Sequence, residues 1–447
     1  MQDAEEIRGN MGLREDVLHF MQCPSCGSSF QVKEVLEEAG GTIEQGQVSC
    51  DCDCHPICFG ILILKNGHLK NHILALQKRH AYREAAAFSL GNYCEDLARL
   101  FDFLKVKPFG RSLQNILSGA TIPYHYVRFR KYFNSRITFS DLLGHTPYDE
   151  YLRHRFSCQS FWDIYPFLPV LKPRGRVLEI CCGAGHASFV ISQAVSPSEM
   201  ICIDGNFRNL FLLQKYFSPA QSVLVDANFP LPFNDGTFDF VLMMDAFHYM
   251  DSPYLFAKEI ERIVSHEGSF LILHVHNSMV ANPSDGKPIS PFRMQRLFRN
   301  PLTVAPEREL LEDFLYRDRL DLTKKPNTKV LEKTDAFCVA ANMAMSSSEQ
   351  VWEYVLNTHE KLVINPLYEI HPNKNRVVLS RRFPRLPFAF RDEYPISEAY
   401  LPVQAEINKK ILENIETAAE DDQVRQLRKQ FVLIDVPHHY CRRQTVS

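Results

Sequence analysis

No apolar run in this chain approaches the roughly 18–20 residues that a helix needs to cross a bilayer, although 45% of its 447 residues are hydrophobic. A transmembrane reading is therefore set aside, while a sizeable core remains well supplied. A strong charge of either sign is lacking too. Fifty Lys and Arg against 53 Asp and Glu leave a formal charge of -3, so no global field gathers a polyanion. There is no internal repeat and no low-complexity tract. Met1 to Arg14 is polar and acidic, which fits neither a signal nor a transit peptide, and a cytoplasmic location is the expectation. The 13 cysteines are odd in number and scattered, so a disulfide framework is a poor reading. The length corresponds to about three domains by the usual prior.

Five segments carry a pattern. Arg176 to Ile180 is a dense apolar run, expected as a strand covered on both faces. It holds Glu179 and runs into Cys181-Cys182-Gly183-Ala184-Gly185, a tight glycine-bearing turn of the kind that lets backbone approach a nucleotide-like ligand. Met200 to Asp204 reads as the second strand. An acid at such a tip, roughly 20 residues past a glycine turn, accepts from ribose hydroxyls; a helix N-cap is the plainer alternative. The third station is Val223 to Ala227, leading into Leu231-Pro232-Phe233-Asn234-Asp235-Gly236-Thr237-Phe238-Asp239. Phe238 to Met244 and Gly268 to His276 read as the fourth and fifth strands, separated by a helix with Glu259, Glu261 and Arg262. Strands and helices alternating at this spacing predict an α/β fold with a mostly parallel, doubly wound sheet.

The run from Arg176 to about Asn277 resembles a class I S-adenosylmethionine-dependent methyltransferase, of the broad group that includes the ubiquinone and menaquinone biosynthesis enzymes. The resemblance implies a Rossmann-like methyltransferase sheet with S-adenosyl-L-methionine as co-substrate. Under it, Glu179 supports the turn and the methionine end of the ligand. Gly183 and Gly185 lie beneath the ligand, and Cys181 stands where the family usually has glycine. Asp204, with Gly205 beside it, serves the ribose; Asp226 accepts from the adenine amino group and the Ala227 amide donates to a ring nitrogen. Phe229 or Leu231 flanks the ring. Asp245 either contacts the cofactor amino group or acts in catalysis.

Methyl transfer from a sulfonium asks the protein mainly to hold the nucleophile in line with the methyl carbon in a dry pocket. A hydroxyl acceptor also benefits from a base. Asp245 and His248 are the first candidates, His274 and His276 the next, all at expected strand tips. Tyr148 to Phe156 resembles the aromatic-and-arginine lid that precedes the first strand of many such enzymes, with Tyr151 and Arg153 as secondary candidates.

Cys23-Pro24-Ser25-Cys26-Gly27 is a thiolate knuckle, and Cys50, Cys52 and Cys54 follow. Paired knuckles at this spacing are those of a zinc ribbon with a closed structural site. A module of about 60 residues has little core of its own, so the ion supplies folding energy. His55 to Ile61 resembles the exit strand of short zinc ribbons attached to methyltransferases, an alignment that leaves Cys58 outside the ligand set. Cys23, Cys26 and Cys50 are ligands in this reading, with Cys52 or Cys54 completing the site.

The expected organisation is a zinc-ribbon-like module at 15–70, a helical lead-in and lid at 75–165, a methyltransferase core at 166–290 and a mixed C-terminal extension at 291–447. The lead-in includes Tyr124 to Phe133, basic with interleaved aromatics, either an anionic contact or an amphipathic helix. The extension contains a short helix from Glu307 to Leu320, helix over Ile407 to Lys429 and a strand at Phe431 to Pro437. It is expected to pack on the sheet and shape the acceptor pocket. The functional expectation is methyl transfer to a small-molecule, lipid or sugar-containing acceptor. Ribosomal RNA base methylation is one alternative, disfavoured by the weak charge. A non-catalytic protein-binding scaffold is the other.

Overall fold

A computed structural model describes residues 12–90, 130–171, 175–193, 199–281, 286–324, 327–343, 347–357, 360–384, 393–415 and 417–442. Tyr124 to Phe129, part of the expected lead-in, lies outside the described residues. The chain divides into two compact units: Met1–Ile137, Arg176–Ser188 and Ser196–Thr237 form the first, and Thr138–Gly175, Phe189–Val195 and Phe238–Ser447 the second. Neither coincides with one of the four segments suggested by motif order.

In the first unit an antiparallel run of β1 (Gln31–Ala39), β2 (Thr42–Ser49), β3 (Cys54–Cys58) and β4 (Ile61–Ile63) is followed by β5 (Val177–Ile180), β6 (Met200–Asp204) and β7 (Gln221–Leu224). Their spatial order is β1-β2-β3-β4-β7-β6-β5. The ribbon strands thus continue directly into the parallel strands: Ile61, Leu62 and Ile63 pair in parallel with Ser222, Val223 and Leu224. Every residue of β4, β5 and β7 is buried, as expected of strands covered on both faces. In β1, acidic and basic side chains keep the strand mostly exposed. Asn206 caps the helix Phe207–Leu212 by accepting from the Arg208 amide at 2.9 Å. That helix ends in a π-turn, Leu213–Phe217.

The second unit is built on β8 (Phe238–Met244), β9 (Val264–His276), β10 (Leu302–Pro306) and β12 (Ala336–Ala341), in the order β8-β9-β12-β10. Strands β8 and β9 are parallel, whereas β12 runs antiparallel to both its neighbours. The helix Pro253–Ile263 makes the crossover between β8 and β9, started by a Ser252 cap and proline in its first turn. Strands β10 and β12 come from the region expected to pack on the sheet; they are strands of it. Short apolar runs bounded by Pro301, Pro306 and Asn342 are the local signal, too brief to separate strand from loop by periodicity.

Beyond these, β11 (Arg319–Asp321) pairs with β13 (Ser347–Glu349), β14 (Lys361–Ile364) pairs with β18 (Leu433–Val436), and β15 (Tyr368–Asn373), β16 (Arg376–Arg381) and β17 (Gln404–Asn408) form a third small sheet. The stretch expected as one helix over Ile407 to Lys429 is instead the end of β17 and two helices, Lys409–Glu413 and Asp422–Lys429. Asp421 starts the latter by accepting from the Gln423 and Val424 amides. The core of this unit is aromatic: Trp162 stacks on Phe431 at 4.2 Å, Trp352 lies 5.4 Å from Phe431, and Phe314 stacks on Trp352 at 4.5 Å.

One acid in β18 is tied into this unit. Asp435 accepts from the Glu360 and Lys361 amides and from Gln193 at 2.8, 3.1 and 3.2 Å. Burial nevertheless raises its pKa to about 6, against the pull of those donors and of Arg428. A carboxyl with a raised folded pKa adds stability that is whole below its ordinary value and lost as the pH rises through the folded one. Stability should therefore fall by at most about 3 kcal/mol between about pH 4 and 6 on this account. Asp435→Asn should flatten that limb, as read from denaturant midpoints across the range.

Candidate active site

The turn after β5 is set by backbone conformation. Cys181, Gly183 and Gly185 have φ of 56°, 54° and 99°. Cysteine here accepts the left-handed conformation that glycine takes more cheaply. A Cβ on Gly185 would sit 2.8 Å from Leu213 Cγ and 3.0 Å from Phe217 Cβ, so the π-turn packs against bare backbone. A Cβ on Gly183 would meet nothing within 4 Å, which leaves an open face of peptide there.

Of the three acids read for this turn, Asp204 contacts it directly. Burial raises the Cys181 thiol, and the negative charges of Asp204, Asp226 and Glu179 raise it further. Glu179 is buried and accepts from Ser188 on the following helix. Asp204 accepts from the Gly183 amide at 2.9 Å, the Asn206 amide at 2.8 Å and Asn209 Nδ2 at 3.1 Å. Burial raises its pKa against those donors. Because a carboxylate has about four acceptor directions, Asp204 fastens the glycine turn and retains capacity toward a ligand. Asp226 accepts from the Asn228 amide at 3.0 Å. Close by in sequence, the Phe229 ring is 65% exposed whereas Leu231 is buried, so only Phe229 offers a face. Lys65, which the sequence reading passed over, donates to the Gly205 carbonyl at 3.1 Å. Its signal was absent, since it lies 140 residues away from its partner.

The ribbon brings Cys23, Cys26, Cys50 and Cys52 together, their sulfurs all within 4.8 Å of one another. The Cys23–Cys52 and Cys50–Cys52 separations are 3.7 and 3.5 Å, near the roughly 3.8 Å edge of a tetrahedral ZnS4 site. Of the two candidates for the fourth position, geometry supplies Cys52. Cys54 points to Gln47 at 3.4 Å and Lys33 at 3.7 Å. Cys58 is fully buried and outside the group. Two hydrogen bonds from Ser28 lower the Cys26 pKa to about 6.

The second unit gathers the remaining candidates at the ends of β8 and β9. Asp245 has φ 54° and His274 φ 52°. Asp245 Oδ2 accepts from the Tyr151 hydroxyl at 3.2 Å and faces Arg155 at 3.3 Å. Its Oδ1 faces His276 Nε2 at 3.7 Å and His274 Nε2 at 3.9 Å. Burial pushes the Asp245 pKa up, but His274, His276, Arg155 and His248 outweigh it and hold it well below the carboxylate range. His274 Nδ1 is bonded to Glu307, whose other oxygen accepts from Gln159 at 3.0 Å. Against burial, Glu307 and Asp245 raise the His274 pKa. His248 is buried and held to about pH 4 by burial and by the neighbouring His276. Arg155, not Arg153, reaches the cluster; Arg153 bonds to the Gly144 carbonyl at 3.1 Å. Arg155 lies inside the Tyr148 to Phe156 lead-in, where Arg153 is the arginine singled out, and Glu307 reads only as the start of a helix.

An open glycine turn with an acid at the adjoining strand tip is the kind of place where open α/β sheets take ligands. Residues 178–272 match the methyltransferase domain family. A probable phthiotriol/phenolphthiotriol dimycocerosates methyltransferase 2 of Mycobacterium ulcerans is 29% identical over 96 residues, 21% of this chain and 37% of that protein. The match thus spans little more than a third of that curated relative. Similar solved structures include an S-adenosylmethionine-dependent methyltransferase of Thermotoga maritima, possibly a histamine N-methyltransferase, at 18% identity and TM-score 0.30, covering 45% of this chain and 94% of that one. Phosphoethanolamine N-methyltransferase 2 of Haemonchus contortus, solved with S-adenosyl-L-methionine, is 15% identical with TM-score 0.32, covering 46% and 60%. Residues 178–272 of the chain carry a methyltransferase domain.

The two glycines should respond differently to a methyl group. Gly185→Ala is expected to destabilise by about 2–4 kcal/mol, through a disfavoured φ and overpacking on Leu213 and Phe217. Gly183→Ala should cost only about 1 kcal/mol from conformation. Denaturant unfolding of both variants checks the contrast.

Proposed function

We propose that this protein transfers the methyl group of S-adenosyl-L-methionine to a small-molecule, lipid or sugar-containing acceptor. The observation that carries the reading is the Asp204 carboxylate at the tip of β6, bonded to the Gly183 amide of an open turn with positive φ. In this reading the ligand lies over Gly183 and Gly185. Asp204, beside Gly205, takes the ribose hydroxyls, while Asp226, the Ala227 amide and the Phe229 ring hold the adenine. Cys181 and Glu179 shape the methionine end. The bound sulfonium supplies the electrophile. Asp245 and His248 remain the residues assigned to the acceptor side, Asp245 as an anion held by Tyr151 and Arg155, His248 as a buried neutral imidazole. The lipid methyltransferase name of the Mycobacterium relative supports an acceptor of that class.

Calorimetry with S-adenosyl-L-methionine should give a single site, and Asp204→Ala should weaken it by about ten-fold or more, since charge-assisted hydrogen bonds to two hydroxyls are lost. No heat at high ligand concentration with folded wild-type protein would end the reading. Cell extract incubated with the protein and isotopically labelled donor, followed by mass spectrometry, identifies the acceptor.

The cysteine group is proposed as a structural zinc site formed by Cys23, Cys26, Cys50 and Cys52. Metal analysis should find one zinc per chain at this site. Cys52→Ser should lose it, while Cys54→Ser should retain it; the reverse outcome would reassign the fourth ligand.

A further inference from the structure

We propose that Asp245, His274 and His276 form a binding site for a first-row divalent transition ion, separate from the cysteine group. Asp245 Oδ1 and the two Nε2 atoms lie within 4.8 Å of one another. The 3.7 and 3.9 Å separations from Asp245 Oδ1 are too long for hydrogen bonds. They are close to the spacing of donors around one shared ion, which at metal–ligand lengths of about 2.0–2.2 Å puts neighbouring donors about 3.0–3.5 Å apart. A shift of a few tenths of an ångström closes the shell.

The atoms behind these donors are arranged as metal ligands require. A ligating histidine ordinarily gives its other ring nitrogen to a carboxylate, which fixes tautomer and ring orientation. His274 does this with Glu307, and Gln159 fixes Glu307 in turn. Asp245 has its second oxygen held by Tyr151 and faced by Arg155, on the side away from the imidazoles. His276 is seated by rings, perpendicular to His248 at 4.4 Å and to His274 at 4.8 Å.

The backbone is bent to make this arrangement. Between the pairs Phe337–Val275 and Val339–Ile272, β9 carries one residue more than β12. His274 lies in that bulge with positive φ, and Asp245, one residue past the end of β8, is left-handed as well. Bulges re-aim side chains, and two non-glycine residues in this region cost of order 1–3 kcal/mol each. Packing alone supplies no reason to place both distortions on donors to one point.

Two imidazoles and one carboxylate on one side suit Mn, Fe, Co, Ni or Zn rather than magnesium or calcium, which prefer oxygen. Three protein donors leave coordination positions for water or for an oxygen of a bound molecule. A hydroxyl taken there becomes a stronger acid. Its use in methyl transfer rests on the preceding reading; the ion site itself does not.

The test uses the full chain with the cysteine group first filled by one equivalent of zinc. Mn2+ is then titrated and followed by loss of the free-ion electron paramagnetic resonance signal, because manganese favours nitrogen and oxygen over thiolate. One Mn2+ per chain is expected. His276→Ala and Asp245→Asn should each weaken it by at least about ten-fold, Glu307→Gln by about 10–100-fold through the second nitrogen of His274. Cys54→Ser, outside both groups, should leave Mn2+ affinity unchanged. Cobalt at the same site should absorb without a thiolate charge-transfer band. Absence of Mn2+ and Co2+ binding up to about 100 µM free ion, or wild-type affinity in folded His276→Ala, would overturn the proposal and leave a buried ion-pair network. His276 is part-exposed, so its variant is the one suited to retaining the fold. Calorimetry with S-adenosyl-L-methionine on the same samples separates failure of the metal site from failure of the methyl-transfer reading.

Discussion

The chain must leave β5 and enter the helix His186–Ser192 within five residues, and the conformations this demands govern the first unit. Cys181, Gly183 and Gly185 all take positive φ, which frees the Gly183 amide to reach Asp204. That bond ties the tip of β6 to the turn after β5. With the next tie, from the Val225 amide to the Asp204 carbonyl at 3.2 Å, three successive strand ends are joined through one residue. Any change at Asp204 therefore touches the turn as well, and its raised pKa reflects burial against these donors. The helix N-cap, the plainer reading of this acid, is in the structure the task of Asn206.

Strands of uninterrupted apolar character were the most legible elements. The bounds of β6 and β8 agree with those read from sequence, because each is almost wholly apolar and buried, with Asp204 at the end of one and Asp239 near the start of the other. The cysteine spacing likewise announced a thiolate group, though sequence could not choose between Cys52 and Cys54, which lie two residues apart, the first before β3 and the second at its start. What stayed hidden depended on distance along the chain. The Glu307–His274 bond joins residues 33 apart across a helix start and a strand end, and Arg155 reaches Asp245 from the segment before β5. Strand β12 enters between β9 and β10 against the order of the sequence. No local period encodes such an insertion.

The two units distribute chemistry unequally. In the first, backbone geometry and acids prevail around the glycine turn. In the second, imidazoles, an arginine, tyrosines and buried carboxylates compensate one another within a few ångströms. Such a network is stable only when each charge has a partner. Of its histidines, His248 is held neutral while His274 is biased toward its charged form, so neighbouring rings of one residue type have been given opposite tendencies by their surroundings.

The parallel pairing of Ile61–Ile63 with Ser222–Leu224 has a consequence for cellular fate. Without β4, the main-chain donors and acceptors of β7 would form an unsatisfied, apolar margin, a template for strand addition by another chain. Loss of the ribbon would thereby convert a local defect into a route to self-association, and the small module guards solubility as much as it adds structure.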